Sequence, residues 1–488
     1  MNMIKSLKKL TQNLDYEVLS GNLDDIIINK LCYDARMIEN NDLFICLKGA
    51  RFDTHSIIDE IISKGAKVII VDKDSEYVDL NMIVDESTTR PLILAVQNTR
   101  VALATISANY FDNPSDKLKI IGITGTKGKT TTAFMIRNIL LEAGHKVGMI
   151  GTIGIFYGDE HIITDNTTPE SFILQEYFSK MLDMGIDYVV MEVSSQSLKY
   201  HRVYGINFYF AIFTNIMPEH IGENEHTDYN DYLESKLKIF DQCENALINA
   251  GTNDYDRIIN KINASPIKLF EKRVNRKFNL RIPGEHNLEN ASLAYEFGKA
   301  LGLDDDIIIR ALEKTIVPGR IEEVYRDNDF TIIVDFSYED HGARKLFDVL
   351  RKENYKRIVA VFGCGGNRSK NRRYGMGEVC GKEADFIVLT ADNSRYEKTR
   401  DIIRDIETTL TKYKKENDFE NGYVIIEDRY KAIEYAIQNR KKGDVICVMG
   451  KGHEPLMEMN GEKIRFLDRD VILEILGKMG LAYITHTD

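Results

Sequence analysis

One pattern recurs along most of this chain: an apolar run rich in β-branched residues, then a glycine-rich or polar turn, then a helical segment. Phe208–Phe213 and Arg357–Phe362 are two such runs, and each is followed by polar residues. Strands that alternate with helices form parallel sheets that the helices cover. The pattern therefore predicts an α/β protein. Ligands bind beyond the carboxyl ends of the strands in such sheets, so we expect the polar turns to line a binding cleft.

The pattern breaks at two places, which indicates three domains. Asp112–Asp116 consists of turn-forming residues and is typical of a linker. Val317–Arg320 contains a Pro-Gly pair and precedes a new predicted strand. A chain of 488 residues is also too long for a single hydrophobic core. The predicted domains cover residues 1–112, 113–320 and 321–488.

Charge and composition exclude several kinds of partner and location. The chain carries 64 basic and 76 acidic residues, a net charge of −12, and an acidic surface disfavours nucleic acid and anionic membranes. The six cysteines contain no C-x-x-C pair, which indicates reduced thiols packed as small apolar side chains. No apolar stretch approaches the roughly 18 residues that span a bilayer, and residues 1–16 lack the apolar run of a signal peptide. We therefore expect a cytoplasmic protein with no membrane span and no nucleic-acid partner.

The segment 125–131, which reads GTKGKTT, is the strongest candidate for a nucleotide site. It lies between a predicted strand and a predicted helix that ends near Gly144, so its backbone N–H groups and Lys129 would cradle phosphate. The hydroxyl of Thr130 is placed to reach Mg²⁺. The usual phosphate-loop pattern has glycine where this chain has Ile123, and an ordinary helix N-terminus is the alternative. Strand, loop, lysine and paired threonines together favour phosphate binding.

Three further residues are suggestive but not decisive on their own. Glu192 and His220 each follow a predicted strand and carry side chains that can ligate a metal near phosphate. A helix cap, a surface charge or a hydrogen-bonded loop residue would explain them equally well. Lys236 lies in a predicted amphipathic helix, and composition alone predicts a solvated lysine there.

The sequence I-x-G-I-T-G-T-x-G-K-T-T around the glycine loop resembles the ATP loop of the Mur ligase family. Other segments resemble the same family, in the same order, along nearly the whole chain. They are Asp34–Arg36, Asp42–Phe44, Lys48-Gly49, Asn166–Pro169, Met191–Ser195, Asn215–His220, Tyr232–Lys236, Gly284–Asn290, Val317–Arg320, Gly363–Gly366, Asp392–Arg395 and Gly450–Glu454. The resemblance implies a three-domain α/β fold, with an N-terminal α/β uridine-nucleotide domain, a central P-loop-type parallel-sheet ATPase domain and a C-terminal Rossmann-like domain.

The resemblance also implies an activity, the ATP-dependent, ADP-forming ligation of a carboxylate to an amine in peptidoglycan synthesis. The branch that this chain resembles adds the third amino acid, meso-diaminopimelate or a similar diamino acid, to UDP-MurNAc-L-Ala-D-Glu through an acyl phosphate. The implied cofactors are ATP, two Mg²⁺ ions and a CO₂-derived carbamate on Lys236. The implied partners are these small molecules alone, and a monomer is expected.

The resemblance assigns roles to individual residues of this chain. The implied catalytic residues are Lys129, Lys236, His220 and Glu192. The implied metal ligands are Thr130, Glu192, His220 and Lys236 as its carbamate. The implied ATP-binding residues are Gly125, Thr126, Lys127, Gly128, Lys129, Thr130, Thr131, Asn287, Asn290, Arg320 and Asp335. The implied contacts to the UDP substrate are Asp34, Arg36, Thr167, Thr168, Ser194 and Arg202. The implied contacts to the incoming amino acid are Arg368, Asp392, Asn393, Arg395, Gly450 and Glu454.

Four departures from the family pattern keep other functions open: Ala35 for Ser, Gln196 for His, Tyr338 for His and Ser394 for Pro. The alternatives are a divergent relative acting on another glutamate-terminated substrate, a folylpolyglutamate-type ligase and a non-catalytic ATP-binding protein. The separate first domain opposes the folate ligase, and the joint presence of Lys129, Glu192 and His220 opposes a non-catalytic role. A dehydrogenase is disfavoured because Arg368 stands where the dinucleotide fingerprint needs glycine.

Overall fold

The computed structural model describes residues 4–23, 25–49, 52–78, 91–222 and 225–481. The chain forms two compact units, Met1–Phe278 with Leu288–Glu313, and Asn279–Asn287 with Lys314–Asp488. The first unit carries two large sheets and the second carries one. Residues 1–3 and 482–488, which belong to the predicted first and last domains, lie outside the described residues, and the predicted domain limits remain predictions.

The amino-terminal part of the first unit is an α/β layer around a five-stranded sheet. Its elements are β1 (Lys5–Ser6), α1 (Leu7–Leu10), β2 (Glu17–Ser20), β3 (Ile27–Ile28), β4 (Leu31–Cys32), β5 (Leu43–Ile45), α2 (Ile58–Ser63), β6 (Val68–Asp72), β7 (Leu92–Val96) and α3 (Thr99–Tyr110). The strand order is β2-β7-β6-β5-β4, and all strands but β2 run parallel. Helix α3 begins after Asn98, whose side chain accepts hydrogen bonds from the N–H groups of Arg100 and Val101.

A second, larger sheet follows after a short connection. The predicted linker contains a 3₁₀ helix, Pro114–Lys117, which Asn113 introduces in a left-handed conformation. The next elements are β8 (Lys119–Thr124), α4 (Lys129–Glu142), β9 (Val147–Gly151), β10 (Gly154–Tyr157), β11 (Glu160–Ile162), α5 (Ser171–Asp183), β12 (Tyr188–Glu192), α6 (Ser195–Lys199), β13 (Phe208–Phe213), α7 (Tyr229–Leu237), β14 (Cys243–Asn249), α8 (Tyr255–Asn263), β15 (Lys268–Lys272), α9 (Glu285–Ala300) and α10 (Asp305–Lys314). The strand order is β11-β10-β9-β12-β8-β13-β14-β15. The strands that run parallel to one another are β9, β12, β8, β13, β14 and β15.

This strand order brings three predicted motifs to one edge of the sheet. Glu192, the last residue of β12, pairs with Ile123 of β8. On the other side, Phe213 at the end of β13 pairs with Thr124 of β8. The glycine loop follows β8 directly, so it lies between the carboxyl ends of two neighbouring strands.

The second unit is a Rossmann-like layer around a six-stranded sheet. Its elements are β16 (Glu322–Arg326), β17 (Phe330–Asp335), α11 (Asp340–Leu350), β18 (Arg357–Phe362), α12 (Lys370–Glu383), β19 (Phe386–Leu389), α13 (Thr399–Leu410), β20 (Tyr423–Ile425), α14 (Arg429–Gln438), β21 (Asp444–Met449), β22 (Leu456–Met459), β23 (Glu462–Arg465) and α15 (Asp468–Lys478). The order is β16-β17-β21-β18-β19-β20, and only β16 is antiparallel to its neighbour. The predicted polar turns after β17, β18, β19 and β21 therefore share one edge.

Two whole-chain expectations can be compared with the structure. All six cysteines are free thiols, and five of them are buried, as the scattered spacing predicts. Among the described residues, no helix has the length and apolar character needed to cross a bilayer.

Candidate active site

The glycine loop at residues 125–131 turns sharply between β8 and α4. Gly125 and Gly128 have backbone φ angles of +138° and +84°, in the region that favours glycine. Neighbouring side chains also exclude a Cβ atom, which would lie 2.0 Å from Thr214 Oγ1 at Gly125 and 2.4 Å from Asn290 Oδ1 at Gly128. The first N–H groups of α4 have no partner within the helix and face the side on which an anion binds.

The segment after β13 fixes the shape of this loop. Asn215 accepts the N–H of Thr126 on its backbone oxygen at 2.8 Å and the N–H of Lys127 on its side-chain oxygen at 2.9 Å. The hydroxyl of Thr214 donates to the backbone oxygen of Lys127 at 2.7 Å. The Lys127 side chain pairs with Glu219. Hydrogen bonds from the segment after β13 therefore fix the conformation of the loop.

Two lysine side chains converge on the backbone of the loop. Lys129 Nζ donates to the carbonyl oxygens of Gly125 and Thr126 at 2.9 and 3.0 Å. Lys236 Nζ donates to the same Gly125 oxygen at 2.8 Å. The prediction of a solvated Lys236 is wrong, since the residue is 1% exposed and its helix face packs against the loop. Burial, and then the positive charge of Lys129, lower the pKa of Lys236 well below its usual value, which favours a neutral, nucleophilic amine.

The carboxylate of Glu192 is fully buried beside the loop. Thr130 Oγ1 donates to it at 2.9 and 3.0 Å, and the N–H and hydroxyl of Thr152 lie 2.9 and 3.2 Å from its oxygens. A Cβ atom on Gly151 would lie 2.3 Å from Glu192 Oε1. The hydrogen bonds that orient this carboxylate come from the hydroxyl groups of Thr130 and Thr152 and from the N–H of Thr152.

These oxygens fit a magnesium ion. Proteins commonly bind Mg²⁺ through one or two carboxylates together with the phosphates of a nucleotide. Glu192 and Thr130 supply a carboxylate and a hydroxyl at the phosphate end of the loop. No group of three or more His, Cys, Asp or Glu side chains that could hold a metal is found in residues 4–23, 25–49, 52–78, 91–222 and 225–481. A Mg²⁺ ion held here would complete its coordination with waters and with phosphate oxygens of the nucleotide.

Four residues predicted to contact the UDP substrate form one group beside Glu192. Thr168 Oγ1 donates to the backbone oxygen of Glu192 at 2.9 Å and accepts the N–H of Ser194 at 3.0 Å. Arg202 Nη1 donates to the backbone oxygen of Thr168 at 3.1 Å. The hydroxyl of Thr167 lies 3.1 Å from the hydroxyl of Thr152, which in turn donates to Glu192. The structure therefore brings these four residues together at the end of β12.

The other two predicted substrate residues, Asp34 and Arg36, pair with each other in the amino-terminal part of the chain. Nε and Nη2 of Arg36 donate to the Asp34 carboxylate at 2.9 and 2.6 Å. The same carboxylate accepts the backbone N–H of Arg36 and caps a 3₁₀ helix. The Arg36 side chain is 87% exposed. In the described residues no contact joins this pair to the group around Thr168.

His220 lies at the rim of the buried group. Its side chain is half exposed and lies 3.4 Å from Glu225 Oε1. Its ring centroid is 6.0 Å from that of Tyr232, and Lys236 Nζ is 4.6 Å from the same Tyr232 ring. The two predicted ligands therefore share a neighbour, although no contact in the described residues joins them directly.

Three predicted ATP contacts belong to the second unit. Asp335 is buried, and its carboxylate accepts two backbone N–H groups at 2.8 and 2.9 Å, while burial raises its pKa. The guanidinium of Arg320 lies 5.0 Å from the ring centroid of Phe336. The side-chain amide of Asn287 donates to the backbone oxygen of Pro283 at 2.9 Å. Backbone groups of the second unit thus hold the side chains of Asp335 and Asn287. The fourth predicted ATP contact, Asn290, lies in the first unit against the glycine loop.

The residues predicted to bind the incoming amino acid converge at the edge of the second sheet. Arg368 and Arg395 both lie against Gly365, where a Cβ atom would be 3.7 Å from Arg368 Cγ and 3.1 Å from Arg395 Nη1. Arg395 Nη1 donates to the backbone oxygen of Gly366 at 2.6 Å. Burial, followed by the charge of Arg395, lowers the pKa of Arg368. Two guanidiniums thus share one small region.

Acidic and amide groups stand beside these guanidiniums. The side-chain amide of Asn393 donates to Glu454 Oε2 at 2.7 Å and accepts the N–H of Glu458 at 2.9 Å. Burial raises the pKa of Glu454. Gly450 has a φ of +108°, and a Cβ atom there would lie 2.5 Å from Asp392 Oδ2. The group can pair with both a carboxylate and an ammonium group.

Two residues of this site had no individual role in the sequence reasoning. Thr152 bonds Glu192, and Tyr232 contacts both Lys236 and the loop. Thr152 follows a predicted strand, and Tyr232 precedes Lys236 by one helical turn. These positions are the sequence signals that could have identified the two residues. Neither threonine nor tyrosine indicates a particular chemistry by itself.

Comparison with known proteins gives one consistent result. Three family models match: "Mur ligase family, catalytic domain" over residues 27–111, "Mur ligase middle domain" over 123–273, and "Mur ligase, glutamate ligase domain" over 319–452. Curated relatives from Clostridium perfringens and Clostridium tetani are both named UDP-N-acetylmuramoyl-L-alanyl-D-glutamate--2,6-diaminopimelate ligase. Each is 38% identical over 500 residues, covering 96% and 97% of this chain and 99% of each relative.

A solved structure of a protein with the same name shares the fold. It matches with a TM-score of 0.64 and 21% identity, covering 98% of this chain and 100% of that one.

Proposed function

Since this chain belongs to the Mur ligase family of ATP-dependent, ADP-forming amide ligases, we propose that it joins UDP-N-acetylmuramoyl-L-alanyl-D-glutamate to 2,6-diaminopimelate. Relatives that carry this name match it over nearly its full length. The product would carry the third amino acid of the peptidoglycan stem peptide. Because the reaction consumes ATP, we expect it to take place in the cytoplasm. We also expect the reaction to require Mg²⁺ and the enzyme to be a monomer.

The neighbouring side chains of Arg368 and Arg395, which both lie beside Gly365, are the observation that carries the choice of acceptor. Each guanidinium can bind a carboxylate through two parallel hydrogen bonds. A diamino diacid has a carboxylate at each end, whereas lysine has only one. Glu454 and Asp392 supply the negative charge that ammonium groups need. The site therefore fits an acceptor with two acids and two amines.

In the first step the terminal carboxylate of the donor attacks the γ-phosphorus of ATP, ADP leaves, and an acyl phosphate forms. The loop N–H groups and Lys129 would neutralise the charge that spreads over the transferring oxygens. Mg²⁺ held by Glu192 and Thr130 would withdraw charge from the same phosphate oxygens. In the second step the acceptor amine attacks the acyl carbon, phosphate leaves, and the amine proton is lost to give the amide.

We further propose that Lys236 carries a carbamate in the working enzyme. The neutral amine adds to the carbon of CO₂ and the nitrogen loses one proton, which leaves an anionic N–CO₂⁻ group. Burial supports this step because it favours the neutral amine, and the product would place a negative charge beside Lys129. With His220, the carbamate would offer ligands for a second Mg²⁺.

The remaining predicted roles are proposals on the same basis. Asp34 and Arg36 would contact the uridine end of the donor, and the group around Thr168 would contact its peptide end. The predicted limits 1–112, 113–320 and 321–488 would assign these parts to separate domains. Asn287, Asn290, Arg320 and Asp335 would contact the nucleotide.

An acceptor screen on the full chain tests the proposal. Purified protein is incubated with ATP, Mg²⁺ and the donor, and phosphate release is measured with meso-diaminopimelate, L-lysine or no acceptor. We expect release only with donor and meso-diaminopimelate together. Arg395→Lys keeps the charge but loses the fork, so it should raise the KM for this acceptor about tenfold and leave the KM for ATP unchanged. Release with lysine alone, or with no acceptor, would contradict the proposal.

A further inference from the structure

Tyr232 is buried at the centre of the contacts between α7 and the glycine loop, and it belongs to none of the roles above. It is 1% exposed and lies one helical turn before Lys236, so both side chains project from one face of α7. The Lys236 Nζ atom is 4.6 Å from the centroid of the Tyr232 ring and 2.8 Å from the Gly125 oxygen. The amine is thus confined between an aromatic face and a backbone carbonyl.

The phenol of Tyr232 is also anchored to the loop. Its oxygen lies 3.1 Å from Thr126 Oγ1. That hydroxyl is 3.3 Å from the backbone oxygen of Met217, to which it can donate, and it accepts the Met217 N–H at 3.1 Å. When Thr126 donates to Met217, the Tyr232 hydroxyl donates to Thr126. Burial raises the pKa of Tyr232, which keeps its proton available for this bond.

The same ring adjoins the histidine that follows β13. The His220 ring centroid is 6.0 Å away, and that of the buried His226 is 5.1 Å away in an edge-to-face arrangement. His226 Nε2 lies 2.9 Å from Ser195 Oγ, and the backbone N–H of His226 donates to the backbone oxygen of His220 at 3.0 Å. The ring position is therefore fixed from several sides, and it cannot shift without moving His220 or the loop.

We infer that Tyr232 is a positioning residue: its ring and its hydroxyl bond to Thr126 hold the Lys236 amine at the loop in the place where it takes up CO₂. This inference rests on the proposed carbamate and names the group that orients its formation. Lysine has a flexible four-carbon side chain, so a fixed ring and a fixed carbonyl restrict the amine more than burial alone. Tyr232 acts through Lys236 and the loop and touches no substrate.

The variant Tyr232→Phe tests the inference because it removes the hydroxyl and keeps the ring. One hydrogen bond contributes about 0.5–1.5 kcal/mol, so kcat should fall by a factor between about 2 and about 13, with the KM values for donor and acceptor unchanged. Added bicarbonate should restore part of the loss. With ¹³C-labelled bicarbonate, the carbamate signal assigned by its absence in Lys236→Ala should be weaker in Tyr232→Phe than in the parent protein.

Tyr229→Phe is the matched control. Tyr229 lies on the same helix, and its hydroxyl bonds Asp254 away from the loop. We expect its kcat and carbamate signal to equal those of the parent protein. Equal losses in both variants, with equal drops in melting temperature, would overturn the inference in favour of plain helix stability. A parental carbamate signal in Tyr232→Phe would overturn it as well.

Thr126→Val provides a second test, because it removes the other partner of the same hydrogen bond. If the hydroxyl acts through Thr126, Tyr232→Phe should have no further effect on the carbamate signal in the Thr126→Val background. Additive losses would overturn the inference. The carbamate signal needs neither donor nor acceptor, so failure of the acceptor screen with an intact signal difference would count against the proposed function alone.

Discussion

Glu192 is a buried carboxylate that four hydrogen bonds from Thr130 and Thr152 orient. Burying a carboxylate is costly unless its oxygens are hydrogen-bonded, and oxygens held in this way can also accept a cation that arrives with a ligand. The absence of a side chain at Gly151 gives this carboxylate its place. A glycine at the end of β9 thus leaves room for Glu192, the proposed metal ligand at the end of β12.

Changing Gly151 to alanine should displace Glu192 without touching ATP or substrate. The added Cβ would lie 2.3 Å from Glu192 Oε1, so the carboxylate must move. Displacing a metal-orienting contact typically costs about 10- to 100-fold, and we expect the Mg²⁺ concentration for half-maximal activity to rise by such a factor. Gly477→Ala is the control, because that helical position is open and should tolerate alanine. An unchanged Mg²⁺ dependence in Gly151→Ala would contradict the assigned role of Glu192.

Single residues differ in how far the sequence predicts them. Lys129 is predictable because the loop, the strand before it and the helix after it are all local signals. Lys236 is not, since its burial depends on how α7 packs against a loop that lies far away in the chain. Lysine side chains are usually solvated, so the sequence predicts an exposed Lys236. The packing of α7 against the loop shows that Lys236 is buried.

At the scale of elements, α12 is fastened to the loop before α13 by one buried arginine. Arg373 is 1% exposed and donates from both Nη atoms to Glu397 at 2.8 and 2.9 Å. It also lies 3.3 Å from the backbone oxygen of Gly365, the residue against which the acceptor guanidiniums pack. Hydrogen bonds from Arg373 lower the pKa of Glu397 to about 2. This ion pair therefore supports the floor of the proposed acceptor site.

The Arg373–Glu397 pair should make stability depend on pH in one direction. The pKa of Glu397 is lower in the folded than in the unfolded chain, where it is about 4.3, so its stabilisation is complete above that value. It is lost progressively as the pH falls from about 4.3 towards about 2. Urea unfolding of the parent protein and Glu397→Gln should therefore differ at pH 6 and converge as the pH falls. Asp401→Asn, which removes an exposed pair with Arg404, should differ little from the parent at any pH. A difference for Glu397→Gln that grows on acidification would contradict this assignment.

Elements follow from the sequence where their ends are coded locally. Strands β13 and β18 have the predicted bounds because each apolar run is bordered by polar residues, and the Asn98 side chain caps the start of α3. The linker before β8 forms a 3₁₀ turn that the turn-forming composition did not specify. Local rules thus fix where segments begin and end more firmly than what connects them.

At the scale of the whole molecule, the site depends on the order of strands in the sheet. β12 lies between β9 and β8, which sets Thr152, Glu192 and the glycine loop side by side. Each of these residues was visible in the sequence as the end of a strand, but their adjacency is a property of topology. Long-range pairing determines it, and no local pattern encodes it.

Nucleotide binding should stabilise the folded chain measurably. A ligand at 100 times its Kd adds about 2.7 kcal/mol to the stability of the state that binds it. We expect Mg²⁺ with ATP to raise the melting temperature by several degrees, and Lys129→Ala to lose most of that rise because Lys129 supplies the loop's cation. Lys180→Ala, which removes a helix-surface pair with Glu176 and a contact with the Tyr177 ring, should keep the full rise. Equal rises in both variants would place the nucleotide elsewhere.

The contacts of the glycine loop also bear on biosynthesis of the chain itself. The loop and α4 leave the ribosome well before Asn215, which fixes the loop backbone, and before Asn290, which lies against Gly128. A nascent chain that ends at α4 therefore contains the phosphate-binding sequence but not the side chains that give it shape. We therefore expect nucleotide binding to require translation of the chain at least as far as Asn290.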